Sequence, residues 1–263
     1  MKTSSGFTLI EVLIAMTVTL IIMGGAYMVF NSQQRTTTTQ TNVSDLQQTL
    51  RAAMDFMARD IRMAGYDPKI TRSFGISDIK FRSLTDTVSA TGNSFIHFSW
   101  DKNSDGILDT DETMEYSLVD NATITPGTPD LYLRFPDNVS ASRDVIGSNI
   151  IALGLAYAID ADNDGKLDQV AGNTMLAVDA RNDNNWDSLD VATGATTPTG
   201  IPINTKDIRA VRIWMLAQSE TPDPNFTDTS TYVVGPHVVI PNNNFHHRML
   251  ERTVLCRNLG LNL

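Results

Sequence analysis

Twenty-four residues from Phe7 to Phe30 carry one formal charge, Glu11, and no proline interrupts them. As a helix rising about 1.5 Å per residue, that run spans roughly 36 Å, enough to cross the hydrocarbon core of a bilayer. Whatever else the chain forms must therefore be attached to one long apolar helix. The position of the charge narrows the reading further. An unpaired carboxylate inside a membrane helix costs on the order of 2.5–3.5 kcal/mol, so Glu11 calls for a partner that neutralises it. A short leader ending in Gly6 comes before the run. A secretory signal peptide would instead be cut after its apolar stretch.

The helical signal continues beyond Phe30. Residues 31–44 turn polar and threonine-rich, as expected where a helix leaves the membrane. Leu46, Leu50, Ala53, Met54, Met57, Ile61 and Ala64 then recur at spacings of three and four, the pattern of an amphipathic helix lying on a globular domain. Arg51, Asp55, Arg59 and Asp60 fall between them and read as a solvated face. Gly65 and Pro68 end the helix. Gly24-Gly25 within the apolar run has two readings: close helix packing, or a weak point that unwinds when the segment leaves the membrane.

After Pro68 the period changes from 3.6 to 2. Strands are expected at 94–100, 114–119, 131–135, 150–159, 174–178, 208–217, 232–234, 237–240 and 248–257, with long loops over 66–93 and 179–206. One long helix followed by strands is the order of an α+β fold, a helix packed on a mostly antiparallel sheet domain. The expected organisation is a leader over 1–6, a transmembrane helix over 7–30, its amphipathic continuation over 31–65 and a β-rich head over 66–263.

The net charge is −10. That balance argues against nucleic acid as a partner, because phosphate binding needs clustered Lys and Arg, and it suits divalent cations. The stretch from Asp101 to Glu112 fits a twelve-residue calcium loop at every ligand position. Oxygens would come from Asp101, Asn103, Asp105, the carbonyl of Ile107, Asp109 and both oxygens of Glu112, with Gly106 allowing the sharp turn. The competing reading is a solvated Asp-Gly hairpin. Asp160, Asp162, Asp164, Lys166 through its carbonyl, and Asp168 repeat the pattern around Gly165, but Ala171 stands where the bidentate glutamate should be. Weaker binding is expected there. Asn182–Asp187 is acidic and turn-rich, lacks the glycine, and reads as a loop that could lend a ligand.

Catalytic motifs are not legible. The sequence holds no Gly-x-Ser-x-Gly elbow, phosphate loop, Cys-x-x-Cys or HExxH, so a non-enzymatic protein is expected. Cys256 sits in an alternating strand and reads as a small buried apolar residue.

Gly6-Phe7-Thr8-Leu9-Ile10-Glu11-Val12, followed by an apolar helix, resembles the processing site of type IV pilins and type II secretion pseudopilins. The resemblance implies that a membrane-embedded prepilin peptidase cuts after Gly6 and methylates Phe7. It also implies that Glu11 faces the amino terminus of a neighbouring subunit. Two further stretches, Arg51 to Asp67 and Asp207-Ile208-Arg209 through Arg257-Asn258-Leu259, resemble minor pilins of the PilW type, related to the type II secretion pseudopilin J.

This resemblance implies a structural subunit of a type IV pilus, placed in the tip or initiation complex. It would insert first in the inner membrane of a Gram-negative bacterium, with its head in the periplasm, and then move to the pilus surface. Its partners would be other minor and major pilins, and a large tip adhesin. The alternatives are a J-type pseudopilin and a calcium-dependent adhesive module displayed on a pilin helix. Many members close their C-terminal region with a disulfide; one cysteine cannot, so some other device must fasten it.

Overall fold

The computed structural model describes residues 8–79, 81–82, 93–120, 129–134 and 143–259. The expected processing residues Gly6 and Phe7 lie outside them, as does Phe135. Helix α1 runs over Leu9–Met63, close to the bounds expected from its periodicity. The chain divides after Ser44 into two compact units.

In the first unit the apolar side chains from Leu9 to Phe30 are exposed, Leu20 at 70% and Ile21 at 71% among them. The threonines that should disfavour a helix return their hydroxyls to the backbone one turn earlier, as Thr37 does to Gln33 and Thr41 to Thr37, at 3.0 Å each.

The second unit is built around the remaining turns of α1. Leu46, Leu50, Ala53, Met54, Met57, Ala58 and Ile61 are buried, as their spacing requires. Asp60 departs from the solvated face expected for it. It is buried and its Oδ2 accepts the hydroxyl proton of Tyr116 at 2.7 Å. Burial, then that bond, push the Tyr116 phenol up from its ordinary range.

Against this helix lie two antiparallel sheets. The first has five strands in the order β1 (Ile76–Asp78), β4 (Ile96–Ser99), β5 (Thr113–Asp120), β6 (Pro129–Arg134) and β7 (Arg143–Gly147). A two-stranded ladder of β2 (Phe81–Arg82) and β3 (Asn93–Ser94) falls between β1 and β4 in the chain. The second sheet starts from the long strand β8 (Ile150–Ile159). Two short strands, β9 (Gln169–Val170) and β10 (Asn173–Thr174), come next and pair with each other.

The second sheet then adds β11 (Leu176–Val178), β12 (Asn185–Leu189), β13 (Thr196–Pro202) and β14 (Ile208–Gln218). A hairpin of β15 (Tyr232–Val234) and β16 (His237–Val239) precedes its last member, β17 (His247–Leu255). Its spatial order is β13-β12-β11-β8-β14-β17. Strands β12 and β13 lie within the stretch expected to be loop. Their residues are too polar for a period-2 signal, and Trp186, fully buried beside Tyr157 at 5.8 Å between ring centroids, anchors β12.

Strands β8 and β14 read as near-continuous apolar runs because both faces are covered. Leu153, Leu155, Tyr157, Val211, Ile213 and Met215 join the cluster that holds Met54, Met57 and Ile61 of α1. Ala152, Ala156, Trp214 and Leu216 alternate with them and pack with Val234 of the β15–β16 hairpin. Gly154 permits this contact, since a Cβ there would stand 2.3 Å from the carbonyl oxygen of Val234.

The C-terminal region is fastened without a disulfide. β17 pairs with β14 from His247↔Gln218 to Leu255↔Ala210. Arg252 forms an ion pair with Asp55 of α1. Asn258 donates from Nδ2 to the carbonyls of Arg62 and Met63 at 3.2 and 3.4 Å, satisfying orphan acceptors at the helix end. Gly65, at φ +76°, continues that terminus, and a Cβ there would meet Leu259 at 2.4 Å. Cys256 is buried, as its place in an alternating strand suggested, and burial pushes its thiol up to about 12.

Candidate functional site

Two places in the molecule carry chemistry that its core does not use. One is the first turn of α1. Thr8 donates from both its amide and its hydroxyl to Glu11 Oε2, at 3.1 Å each, and its own oxygen accepts from the Glu11 amide at 3.4 Å. This is a capping box, in which threonine and a glutamate three residues on satisfy each other's orphan groups. The Glu11 carboxylate therefore stays at the start of the helix, where the positive end of the helix dipole favours it. Around it Leu9, Ile10, Val12, Leu13 and Ile14 are all exposed. Among the described residues of Leu9–Ser44 these side chains form an apolar surface open to solvent.

The other place is a set of acidic loops, each leaving a strand. In the first, the carboxylates expected to face a cation mostly turn onto the loop's own amides. Asp101, buried, accepts from the amides of Ser104 and of Gly106, the latter at 2.9 Å. Glu112, also buried, accepts from the amides of Lys102 at 2.7 Å and Asp109 at 3.1 Å. Asn103 draws Asp105 and Asp109 together, donating from Nδ2 to their Oδ2 atoms at 3.0 and 3.3 Å. Ile107 donates its amide to Asp105 Oδ1 at 2.8 Å, and its side chain is exposed.

In the second loop the acids do gather. Asp160, Asp162 and Asp164 each place a carboxylate oxygen within 4.8 Å of the other two, the one such trio among the described residues. Asp162 and Asp164 are exposed and Asp160 is 3% exposed. The loop is held by Asp164 N–H to Asp162 at 3.2 Å, Lys166 N–H to Asp164 at 2.8 Å and Ala161 N–H to Asp168 at 3.2 Å. Arg209 reaches Asp160 Oδ2 at 3.4 Å and Asn163 Oδ1 at 3.2 Å. Burial raises the carboxyl of the adjacent Asp207 above its ordinary range, against the pull of Arg209.

A third loop has the same build, which spacing alone does not reveal. Asp179, Arg181, Asp183, Asn185 and Asp187 occupy the positions of Asp160, Asp162, Asp164, Lys166 and Asp168. The hydrogen bonds correspond: Asn185 N–H to Asp183 at 3.0 Å, and Ala180 N–H to Asp187 at 3.1 Å. The backbone corresponds too. Positive φ falls at Ser104 and Gly106, at Asn163 and Gly165, and at Asn182 and Asn184. The repeat begins at Asp179, ahead of the Asn182–Asp187 stretch that stands out in the sequence. Its missing glycine is supplied by Asn184, since asparagine tolerates left-handed φ better than most residues. Inside this loop lies a guanidinium. Arg181 meets Asp187 Oδ1 at 2.7 Å and Asp183 Oδ2 at 3.1 Å, and its hydrogen bond to Asp187 raises its pKa.

His246 and His247 do not form a metal site among the described residues. His247 is buried, its Nδ1 2.9 Å from Asp228 Oδ2, which also accepts from Tyr232 at 2.8 Å. Burial would raise Asp228, but its hydrogen bonds from Ser230, Tyr232 and His247 outweigh this and hold it at about 2.

Three family models match the chain. Residues 1–27 match the prokaryotic N-terminal methylation motif, residues 39–130 match prepilin peptidase-dependent protein B, and residues 115–258 match type IV pilus-assembly protein W. No curated protein matches it. Among solved structures, a type IV-like pilin from Thermus thermophilus is 13% identical over 81% of this chain and 97% of its own, with a TM-score of 0.42. The match to type IV pilus-assembly protein W spans more than half of the sequence and takes in β8, β14 and β17, while the methylation motif takes in the exposed apolar turns up to Tyr27. The chain belongs to the type IV pilus-assembly protein W family of minor pilins.

Proposed function

We propose that this minor pilin acts at the start of pilus assembly and occupies the filament tip. The observation that carries the proposal is the apolar surface of Leu9–Phe30, whose side chains are exposed among the described residues. In the inner membrane, with the head in the periplasm, lipid covers it. After cleavage behind Gly6 and methylation of Phe7, neighbouring pilins cover it, and their amino termini neutralise Glu11, which the Thr8 capping box keeps at the helix start. The head, Asp45–Leu263, is large for a unit repeated along a shaft and better suited to a terminal position.

The test is a Glu11→Val variant expressed in the native cells beside a deletion of the gene. The proposal expects both to lower the number of pili per cell by an order of magnitude while the variant chain still accumulates in the membrane. Immunogold labelling of the head in wild-type cells should mark filament ends. Labels spaced along the shaft, or normal piliation in the deletion strain, would overturn the tip reading. Unchanged pili with failed protein secretion would favour the J-type pseudopilin.

A further inference from the structure

We propose that the Asp160–Asp168 loop binds a divalent cation of the calcium class, and that the Asp179–Asp187 loop is its metal-free counterpart, closed by Arg181. Three carboxylates with oxygens within 4.8 Å of one another repel unless a cation lies among them. Two observations beyond the acidic cluster point to a ligand. The first is Asp160, which is 3% exposed and whose Oδ1 is buried with no hydrogen-bond partner. A buried carboxylate oxygen left unpaired is costly, and a bound cation would satisfy it.

The second is the third loop. It has the same alternation of residues, the same pair of left-handed positions and the same amide-to-carboxylate bond, from Ala180 to Asp187 as from Ala161 to Asp168. There the chain supplies the positive charge itself, because Arg181 lies where Asp162 lies in the second loop and its guanidinium bridges Asp183 and Asp187. The second loop has an acid at that position, and its own cation, Lys166, points outward. Arg209 approaches from β14 and touches Asp160 Oδ2 and Asn163, and exposed Lys166 stands 4.0 Å from Asp164. Each forms an ion pair with one of the three acids, and among the described residues none forms one with Asp162.

The ligands would be the carboxylates of Asp160, Asp162, Asp164 and Asp168 and the carbonyl oxygen of Lys166. Water would complete the shell where Ala171 offers no side-chain oxygen. Calcium accepts six to eight oxygens in flexible geometry, whereas magnesium demands near-ideal octahedral geometry. The loop from Asp101 to Glu112 carries a fuller set of ligand types, but its buried carboxylates are already taken by amides. It provides no comparable orphan.

The experiment uses the full chain in detergent, stripped with EDTA and dialysed against CaCl2 up to about 10 mM. Saturable uptake is expected, with a midpoint of about 10⁻⁴–10⁻³ M as in other extracellular sites. The double variant Asp162→Asn/Asp164→Asn alters two exposed side chains and should bind one equivalent fewer than wild type. Uptake that does not saturate, or an unchanged number of equivalents in the double variant, overturns the proposal. Hydrogen exchange on the wild type decides independently if that variant fails to fold. Calcium should slow exchange several-fold in the peptide covering 160–170 and leave that covering 179–187 unchanged. No slowing at 160–170, or equal slowing in both peptides, overturns it.

Discussion

Leu20 and Ile61 belong to the same helix, yet one is 70% exposed and the other 0%. The two stretches of α1 around them use apolar residues in opposite ways. From Leu9 to Phe30 apolar side chains are exposed in every direction, so a single flat contact would leave part of them uncovered. From Leu46 to Ile61 most of them keep to one stripe, which the chain's own sheets bury, with Phe56 left exposed on the other side. Apolar content decides that a stretch will be covered; its angular distribution decides by what.

The largest effect that would sharpen this contrast is truncation under the head. Met57→Ala should lower the stability of the full chain's head by about 2–5 kcal/mol, seen as a fall in Tm by calorimetry in detergent. A loss under about 1 kcal/mol would mean that the stripe does not form the head's core.

Acid should come next, and the two histidines with lowered values, His237 and His247, both lie in the head. Burial holds His237 at about 4, and burial also lowers His247 against the pull of Asp228. For both, the unfolded chain takes up its proton first. Their contribution is thus complete above the ordinary histidine value and lost as pH falls through it. Asp228, at about 2, is lost only below the ordinary carboxylate range. The raised carboxyls of Asp179 and Asp207 work the other way, favouring the folded state as pH falls. For His237 the loss between about pH 6.5 and 5 is on the order of 2 kcal/mol. His237→Phe should flatten the Tm profile over that range; a profile as steep as wild type would discard the assignment.

Removing the helix-end cap is smaller still. Asn258→Ala frees the carbonyls of Arg62 and Met63 and should cost about 1 kcal/mol in thermal melts. Leu20→Ala closes the series. In the same detergent it should leave the head's Tm unchanged, within about 0.5 kcal/mol. A larger shift would break the division between the two stretches.

Much of the fold was legible. The helix from Leu9 to Met63, the long strands β8, β14 and β17 and the burial of Cys256 follow from period and composition. Strands β12 and β13 did not, because Asn185–Leu189 and Thr196–Pro202 alternate poorly and acquire their identity only by pairing with neighbours. Asp60 was misplaced for a similar reason. A carboxylate at the edge of an apolar stripe reads as solvated until Tyr116, fifty-six residues on, arrives to bond it. The second acidic loop was visible from its spacing. The third became visible only once backbone conformation showed that Asn184 takes the part of Gly165.

The sequence alone determined that this chain has a membrane-type helix with an acid in its first turn, an N-terminal methylation motif at its start and a β-rich head after it. These are local patterns, and a few turns of helix or one run of residues suffice to state them. Which acids are drawn together, which one finds a guanidinium and which buried oxygen is left unpaired were decided only by the tertiary structure. Charge compensation acts over a few ångströms between residues whose separation in the chain bears no relation to their separation in space.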